Sequence, residues 1–222
     1  MEHLGQSQSR LLGRPSGGPG ARGRAAAWLA AAALLFAVPG CIFSPRAPDG
    51  PPDEGNEIPW VTPTDTDKVL QNLSAALAGE GISNYMNCFT DSFRFHVDPQ
   101  DSLNAGEEGE DRYANWTVDD EGTYVASVFQ EADVGINVTF STVIEPDESQ
   151  NETYRREDYE LTIVWRHGDH QPGELAVYRG QATFWLRRDD TELWSMFMWV
   201  DRRADNPGGS DTWGVLRGDY RG

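Results

Sequence analysis

Cysteine is nearly absent from this 222-residue chain, which carries Cys41 and Cys88 and no others. A disulfide scaffold is thereby excluded, because at most one bridge could form. Lysine occurs once, as Lys68, among eighteen basic residues. Long apolar runs are missing as well. Residues 25–38 (AAAWLAAAALLFAV) are uncharged and apolar, but this run is shorter than the ~17–25 residues of a spanning helix. Positive charge is scarce overall, with a net −18. So acidic a surface repels phosphate backbones and excludes a nucleic-acid partner.

The apolar run follows a basic head of Arg10, Arg14, Arg22 and Arg24 and ends at small residues. Basic head, short apolar core and small residues before a boundary describe a secretory signal peptide. The boundary, Val38-Pro39-Gly40-Cys41, resembles the lipobox of bacterial lipoproteins, although Pro39 stands where that pattern has a small or aliphatic residue. The resemblance implies a diacylglyceryl group on Cys41 and cleavage just before it; a non-lipidated signal cut nearby is the alternative. The segment before Cys41 contributes four arginines and Glu2, so the remainder carries −21 against −18 for the whole. That charge argues against a polybasic grip on anionic lipid, leaving the acyl chains as the membrane attachment. Ile42 follows the cysteine, where aspartate marks inner-membrane retention in enteric lipoproteins. The expected location is therefore the cell envelope, at the outer membrane facing periplasm or cell surface. With Cys41 acylated, Cys88 has no partner and reads as a small buried hydrophobe. The sequons at Asn72, Asn115, Asn137 and Asn151 matter only in a eukaryotic secretory pathway and read as chance.

Residues 44–63 are rich in proline, glycine and acid and lack a hydrophobic period, which describes an extended tether. The chain thus divides into a signal peptide (1–40), a lipidated tether (41–63) and one domain with a C-terminal tail (64–222). Within the domain, Val69, Leu70, Leu73, Ala76 and Leu77 recur at helical spacing after a Thr66 cap, and Gly79 and Gly81 end the helix. A short helix is expected over Ile82–Phe89, and a strand over Phe93–Val97 with Phe93, Phe95 and Val97 on one side and Arg94 and His96 on the other. Polar, glycine-rich residues 99–114 predict a loop. Thr117 and Asp120 predict a capping box for a third helix, to Gln130. Alternation from Val134 to Ile144 and from Tyr159 to Trp165, then the segments Leu175–Arg188 and WSMFMWVD, predict four long strands. The last is apolar on both faces, as befits a central strand covered on both sides. Phe93, Phe95, Val138, Phe140, Leu161, Ile163, Phe184 and Phe197 are the expected core.

That order of elements, with the phrases CFTDSFRFHVDP and ELWSMFMWVD, resembles the nuclear-transport-factor-2-like superfamily, which includes ketosteroid isomerases and SnoaL-like polyketide cyclases. The strand W-x-x-x-x-W-x-D and the WG-containing tail DTWGVLRGDYR also resemble the ends of bacterial lipoproteins. The resemblance implies an α+β fold, a cone-shaped, strongly bent antiparallel sheet packed on three N-terminal helices. It also implies a conical pocket and sometimes a sheet-to-sheet homodimer.

Asp98-Pro99 matches the Asp-Pro of the isomerases, in which the aspartate is a general base. Period-two alternation, however, puts Asp98 on the side of Arg94 and His96, and the first helix holds no tyrosine for an oxyanion donor. His96 is the other acid/base candidate, against a plain surface histidine. His167, Asp169 and His170 are potential metal ligands, against a hairpin turn. Trp165 and Trp199 read as core. Trp185, on the side of Thr183 and Arg187, reads as exposed and able to stack on a sugar or flat ligand. The leading expectation is a pocketed, non-catalytic ligand-binding or assembly domain of a lipoprotein. It would need no cofactor, and its partners would be the membrane, a small molecule or an envelope protein. The alternatives are a cyclase-, isomerase- or dehydratase-type enzyme using His96 or Asp98, and a glycan-binding module.

Overall fold

The computed structural model describes residues 58–106, 109–133, 135–167, 170–204 and 209–221. The signal peptide, Cys41 and most of the tether lie outside them, as do Val134 and Asp169. Helix α1 (Thr66–Ala78) is capped by Asp65, whose side chain accepts from the Lys68 N–H at 3.0 Å. The expected cap, Thr66, is the first helical residue, and its hydroxyl donates to Glu148 at 2.6 Å. Helix α2 (Ile82–Met86) stops earlier than expected. Its chain then turns through buried Cys88 into strand β1 (Phe89–His96), and Ile82 is exposed.

The expected loop 99–114 folds instead into two short helices, α3 (Pro99–Asn104) and α4 (Gly109–Tyr113). The reason is local. Asp98 accepts from the Gln100 N–H at 2.8 Å and so caps α3, while Pro99 occupies its first turn, where a missing N–H does no harm. Helix α5 (Val118–Glu131) begins with the expected box: Asp120 Oδ2 accepts from the Thr117 N–H at 2.8 Å, and the Asp120 N–H donates to Thr117 Oγ1.

Strands β2 (Asn137–Ile144), β3 (Glu152–Val164), β4 (Leu175–Arg188) and β5 (Trp194–Arg202) follow, and helix α6 (Trp213–Asp219) closes the described chain. The sheet order is β1-β5-β4-β3-β2. Strands β2 to β5 pair antiparallel, but β1 lies parallel to β5, so the sheet is mixed rather than wholly antiparallel. The α+β class stands. Helices α1, α5 and α6 pack on one face of the sheet.

That face carries the core. Phe93, Phe95, Val138, Leu161, Ile163 and Phe184 are buried, while Phe140 and Phe197 are only half-buried. Phe197 misses because β5 is bulged. Met196 pairs with Leu186 and Met198 with Trp185, so Phe197 is the extra residue, lying under the Arg187 guanidinium at 4.6 Å. One extra residue shifts the phase of a strand, which lets Trp194, Met196, Trp199 and Asp201 all face inward. The double apolar character of WSMFMWVD is therefore a phase change, not burial on two sides. The other face, with Phe197, Met198 and Val200, stays half-exposed.

Phe184→Ala should destabilise the domain by about 3–5 kcal/mol, as truncations of packed aromatics do, and Phe197→Ala by markedly less. Chemical denaturation of the two variants measures the difference.

Candidate functional site

Between the sheet and the helices, space is taken up by the chain's own last helix. Glu121 sits on the buried side of α5, in phase with Tyr124, Val125 and Val128. Its carboxylate accepts from Tyr85 Oη (2.6 Å) and Trp116 Nε1 (2.9 Å), and from Arg217 through Nη2 (2.7 Å) and Nε (2.9 Å). Arg217, on α6, is fully buried. Its guanidinium lies 3.9 Å from the ring centroid of Trp199 and 4.4 Å from that of Phe95, with Trp213 and Tyr124 within 5.2 Å. Burial works against the charge of Arg217, but the Glu121 carboxylate outweighs it and holds the guanidinium ionised, its pKa above the usual value. Burial raises the Tyr85 hydroxyl well above its ordinary range, and the Glu121 charge adds to this.

A second polar group seats the first turn of α6. Asp201, inward on β5, accepts from the Gly214 N–H at 2.6 Å and from Tyr159 Oη at 2.9 Å. Tyr159 Oη in turn accepts from the Trp213 N–H at 2.7 Å. Gly180 stands opposite Tyr159 in the ladder, and a Cβ there would lie 2.8 Å from the phenol Cζ and 2.7 Å from the Arg202 carbonyl. Only glycine leaves Tyr159 room to reach Asp201. Gly214 is equally constrained, with Val97 and Asp201 at 2.8 and 3.0 Å from an added Cβ. Asp101, buried on α3, accepts from Thr212 Oγ1 at 2.6 Å and pairs with Arg203. Burial drives Asp201 upward; the Arg217 charge, the Gly214 N–H and the Tyr159 hydroxyl pull it back. The balance leaves it raised from 3.8 to about 7.

Those residues singled out from sequence that are described stand on separate parts of the fold. His96 is exposed on the outer face of β1. Asp98 caps α3, and its other oxygen accepts from the Arg203 N–H at 3.1 Å. His167 is exposed, and His170 stacks on buried Trp165 with centroids 4.2 Å apart. Among the described residues, no group of three or more His, Cys, Asp or Glu is placed to hold a metal. Trp165 and Trp199 are core residues. Trp185 is half-buried on the outer face, tilted against the exposed Tyr154 at 5.0 Å. Cys88 is buried, which pushes its thiol up to about 12; so protonated a sulfur is a poor nucleophile. Asn72 is buried too, exchanging two hydrogen bonds with the Val61 backbone (2.9 and 2.6 Å), so its sequon is closed to glycosylation in the folded domain. Among the described residues, the space beneath the sheet around Arg217 is closely packed. Open clefts lie elsewhere, one of about 490 Å³ beside Ile58, Trp60 and the α1–α2 turn, another of about 270 Å³ over β2 to β4.

Glu121, Arg217 and Asp201 were not among the sequence candidates. Each nonetheless leaves a trace, a charge standing in an apolar phase: Glu121 three and four residues before Tyr124 and Val125, Asp201 two after Trp199, and Arg217 four after Trp213.

Removing the titrating group should flatten one slope. An acid whose folded pKa is raised holds an extra proton in the native state between the unfolded and folded values, so its contribution to stability falls as pH rises across that interval. For Asp201 the window is about pH 4 to 7, and the contribution is level above it. The wild type should therefore lose stability relative to Asp201→Asn between pH 5 and 7, by at most about 1.4 kcal/mol per pH unit, and the difference should be constant from pH 7.5 to 8.5. Parallel denaturation curves across pH 5 to 7 would contradict this assignment.

No family model matches the chain, and no curated protein matches it. Solved structures do. A nuclear transport factor 2-like superfamily protein of Salmonella enterica is 9% identical at a TM-score of 0.47, with 64% of this chain and 91% of that one covered. A ketosteroid isomerase-like protein of Erwinia carotovora is 15% identical at 0.44, covering 63% and 94%. A conserved protein of Planctomyces limnophilus is 15% identical at 0.48, covering 60% and 89%. Each is a partial likeness, at an identity of 15% or less and a TM-score of 0.48 or less.

Proposed function

We propose that the protein is a non-catalytic binding or assembly domain carried at the cell envelope on a lipidated Cys41. The observation that supports the non-catalytic reading is the ion pair of Arg217 with Glu121. Around it Asp201, Tyr159 and Tyr124 are engaged in holding α6, which fills the space a substrate would need. His96 and Asp98, the residues an isomerase- or cyclase-type reaction would use, stand apart from it. The outer face of the sheet, with the Tyr154–Trp185 pair, is then the surface offered to a small molecule or an envelope protein.

The anchor rests on the sequence pattern around Cys41. The tether read from sequence runs from Cys41 to Pro63, of which residues 58–63 are described. The described end of this segment is fastened to the domain, through the Asn72 bonds to Val61 and through the Pro63 carbonyl, which accepts from the Trp194 N–H at 2.8 Å.

Wild-type protein should label with palmitate and partition into detergent, while Cys41→Ser should do neither. Recovery of unacylated wild type from its host would remove the anchor from the proposal. The non-catalytic half fails separately: turnover of a steroid or polyketide substrate that His96→Ala or Asp98→Asn abolishes would replace it with the enzyme reading.

A further inference from the structure

Arg217 is bound as a ligand is bound. Its guanidinium is fully buried, clamped to the Glu121 carboxylate by Nε and Nη2, and enclosed by the faces of Trp199, Phe95, Trp213 and Tyr124. Only Trp213 belongs to the same helix. Glu121, Tyr85, Trp116 and Tyr124 come from α2, α5 and the segment before α5, and Phe95 and Trp199 from the sheet. These six lie outside α6 and line the space its Arg217 fills, an aromatic box with a carboxylate at its floor. Such a box recognises a cation by its ring faces and its charge. The carboxylate that receives two N–H groups of one planar fork selects a guanidinium over an ammonium. Arg217 Nη1 has no hydrogen-bond partner, so the box answers to ring stacking and the fork rather than to every donor.

The occupant is also short and joined to the body by a single connection. Helix α6 has seven residues, too few for a helix to persist on its own in water. It enters after a connection from Arg203 to Thr212, and its first turn is held by side chains of the body: Asp201 to the Gly214 N–H and Tyr159 to the Trp213 N–H. Gly218 meets the Tyr113 ring with no room for a Cβ.

We propose that the space beneath the sheet is a binding site for an arginine-bearing helical segment, occupied in this chain by its own α6, and that a partner's segment of the same chemistry exchanges with it. The tethered helix competes at the high effective concentration that linkage confers, so the site is closed by default and opens to a partner that matches the box better. This goes beyond the outer-face reading of the domain by naming a second site and its partner class, and it does not depend on the anchor.

The test uses a labelled peptide of residues 212–221 and the full chain, followed by fluorescence anisotropy. Wild-type protein should bind the peptide weakly and saturably. Gly218→Val, which unseats the tethered helix against Tyr113 and leaves the box intact, should bind it at least about tenfold more tightly. A peptide with Lys in place of Arg217 should bind about tenfold or more weakly to both. Absence of saturable binding to the wild type, or equal binding of the Arg and Lys peptides, overturns the proposal. Should Gly218→Val not fold, Arg217→Ala supplies a second arm. Its melting temperature should rise with methylguanidinium and not with methylammonium at equal ionic strength, and an equal response to the two cations overturns the guanidinium selectivity. Cys41→Ser should leave every one of these readings unchanged, so failure of the anchor and failure of this site are told apart.

Discussion

The fold closes on one ion pair, Glu121 with Arg217, ninety-six residues apart in sequence. Taking two charges out of water is expensive, and their mutual attraction repays it only where the remaining lone pairs and protons find partners. Glu121 meets that condition through Tyr85 and Trp116 as well as the guanidinium. Arg217 meets it with aromatic faces, which attract a cation without needing a proton acceptor. Each of those partners belongs to a different stretch of chain, so the pair gathers α2, the entry to α5, α5 itself, β1, β5 and α6 around one point. Removing either partner alone would strand the other charge in the core, at a cost of about 3–5 kcal/mol.

The rest of the inner face follows a gradient set by what lies opposite it. Strand β3 turns Thr153, Arg155, Glu157, Tyr159, Leu161 and Ile163 inward, polar at one end and apolar at the other. Leu161 and Ile163 join the apolar core shared with α1 and α5. The polar end meets the start of α1. There Arg155 bonds Glu157 at 2.8 Å, Asp67 at 2.6 Å and Thr66 at 3.2 Å, and Glu148 takes the first helical N–H of Thr66 at 2.8 Å. A carboxylate is well placed at a helix N-terminus. Tyr159 stands between the two regimes and hands its hydroxyl to Asp201 and α6.

Local periodicity was a sound guide wherever packing followed it. Phe93 and Phe95 inward with Arg94 and His96 outward, the α1 stripe, and the Thr117–Asp120 box could all be read from residues a few places apart. The first half of β3 could not, because the alternation in ETYRRED is carried by Thr153, Arg155 and Glu157, whose burial depends on partners far away in sequence. Phe197 was misplaced because a bulge shifts phase without changing composition. Helix α6 was missed because WGVLRGD holds two glycines, which are poor helix formers; tight seating against Val97, Asp201 and Tyr113 overrides that preference. The site suffered most. Long-range ion pairs have no period, so Glu121 and Arg217 could be seen only as charges out of place, never as a pair.

Arginine rather than lysine at position 217 is a matter of geometry as well as composition. Seventeen of the eighteen basic residues are arginine, so its mere presence says little. Its contacts say more. The guanidinium stacks on Trp199 at 3.9 Å while two of its N–H groups reach one carboxylate. A planar, weakly hydrated cation can do both at once; a compact, strongly hydrated ammonium would have to leave either the ring face or half of the carboxylate. The aromatic residues around Arg217 therefore have a polar consequence. They make the centre of the domain a place where only a flat cation is well accommodated, and they make the tail that carries it part of the core.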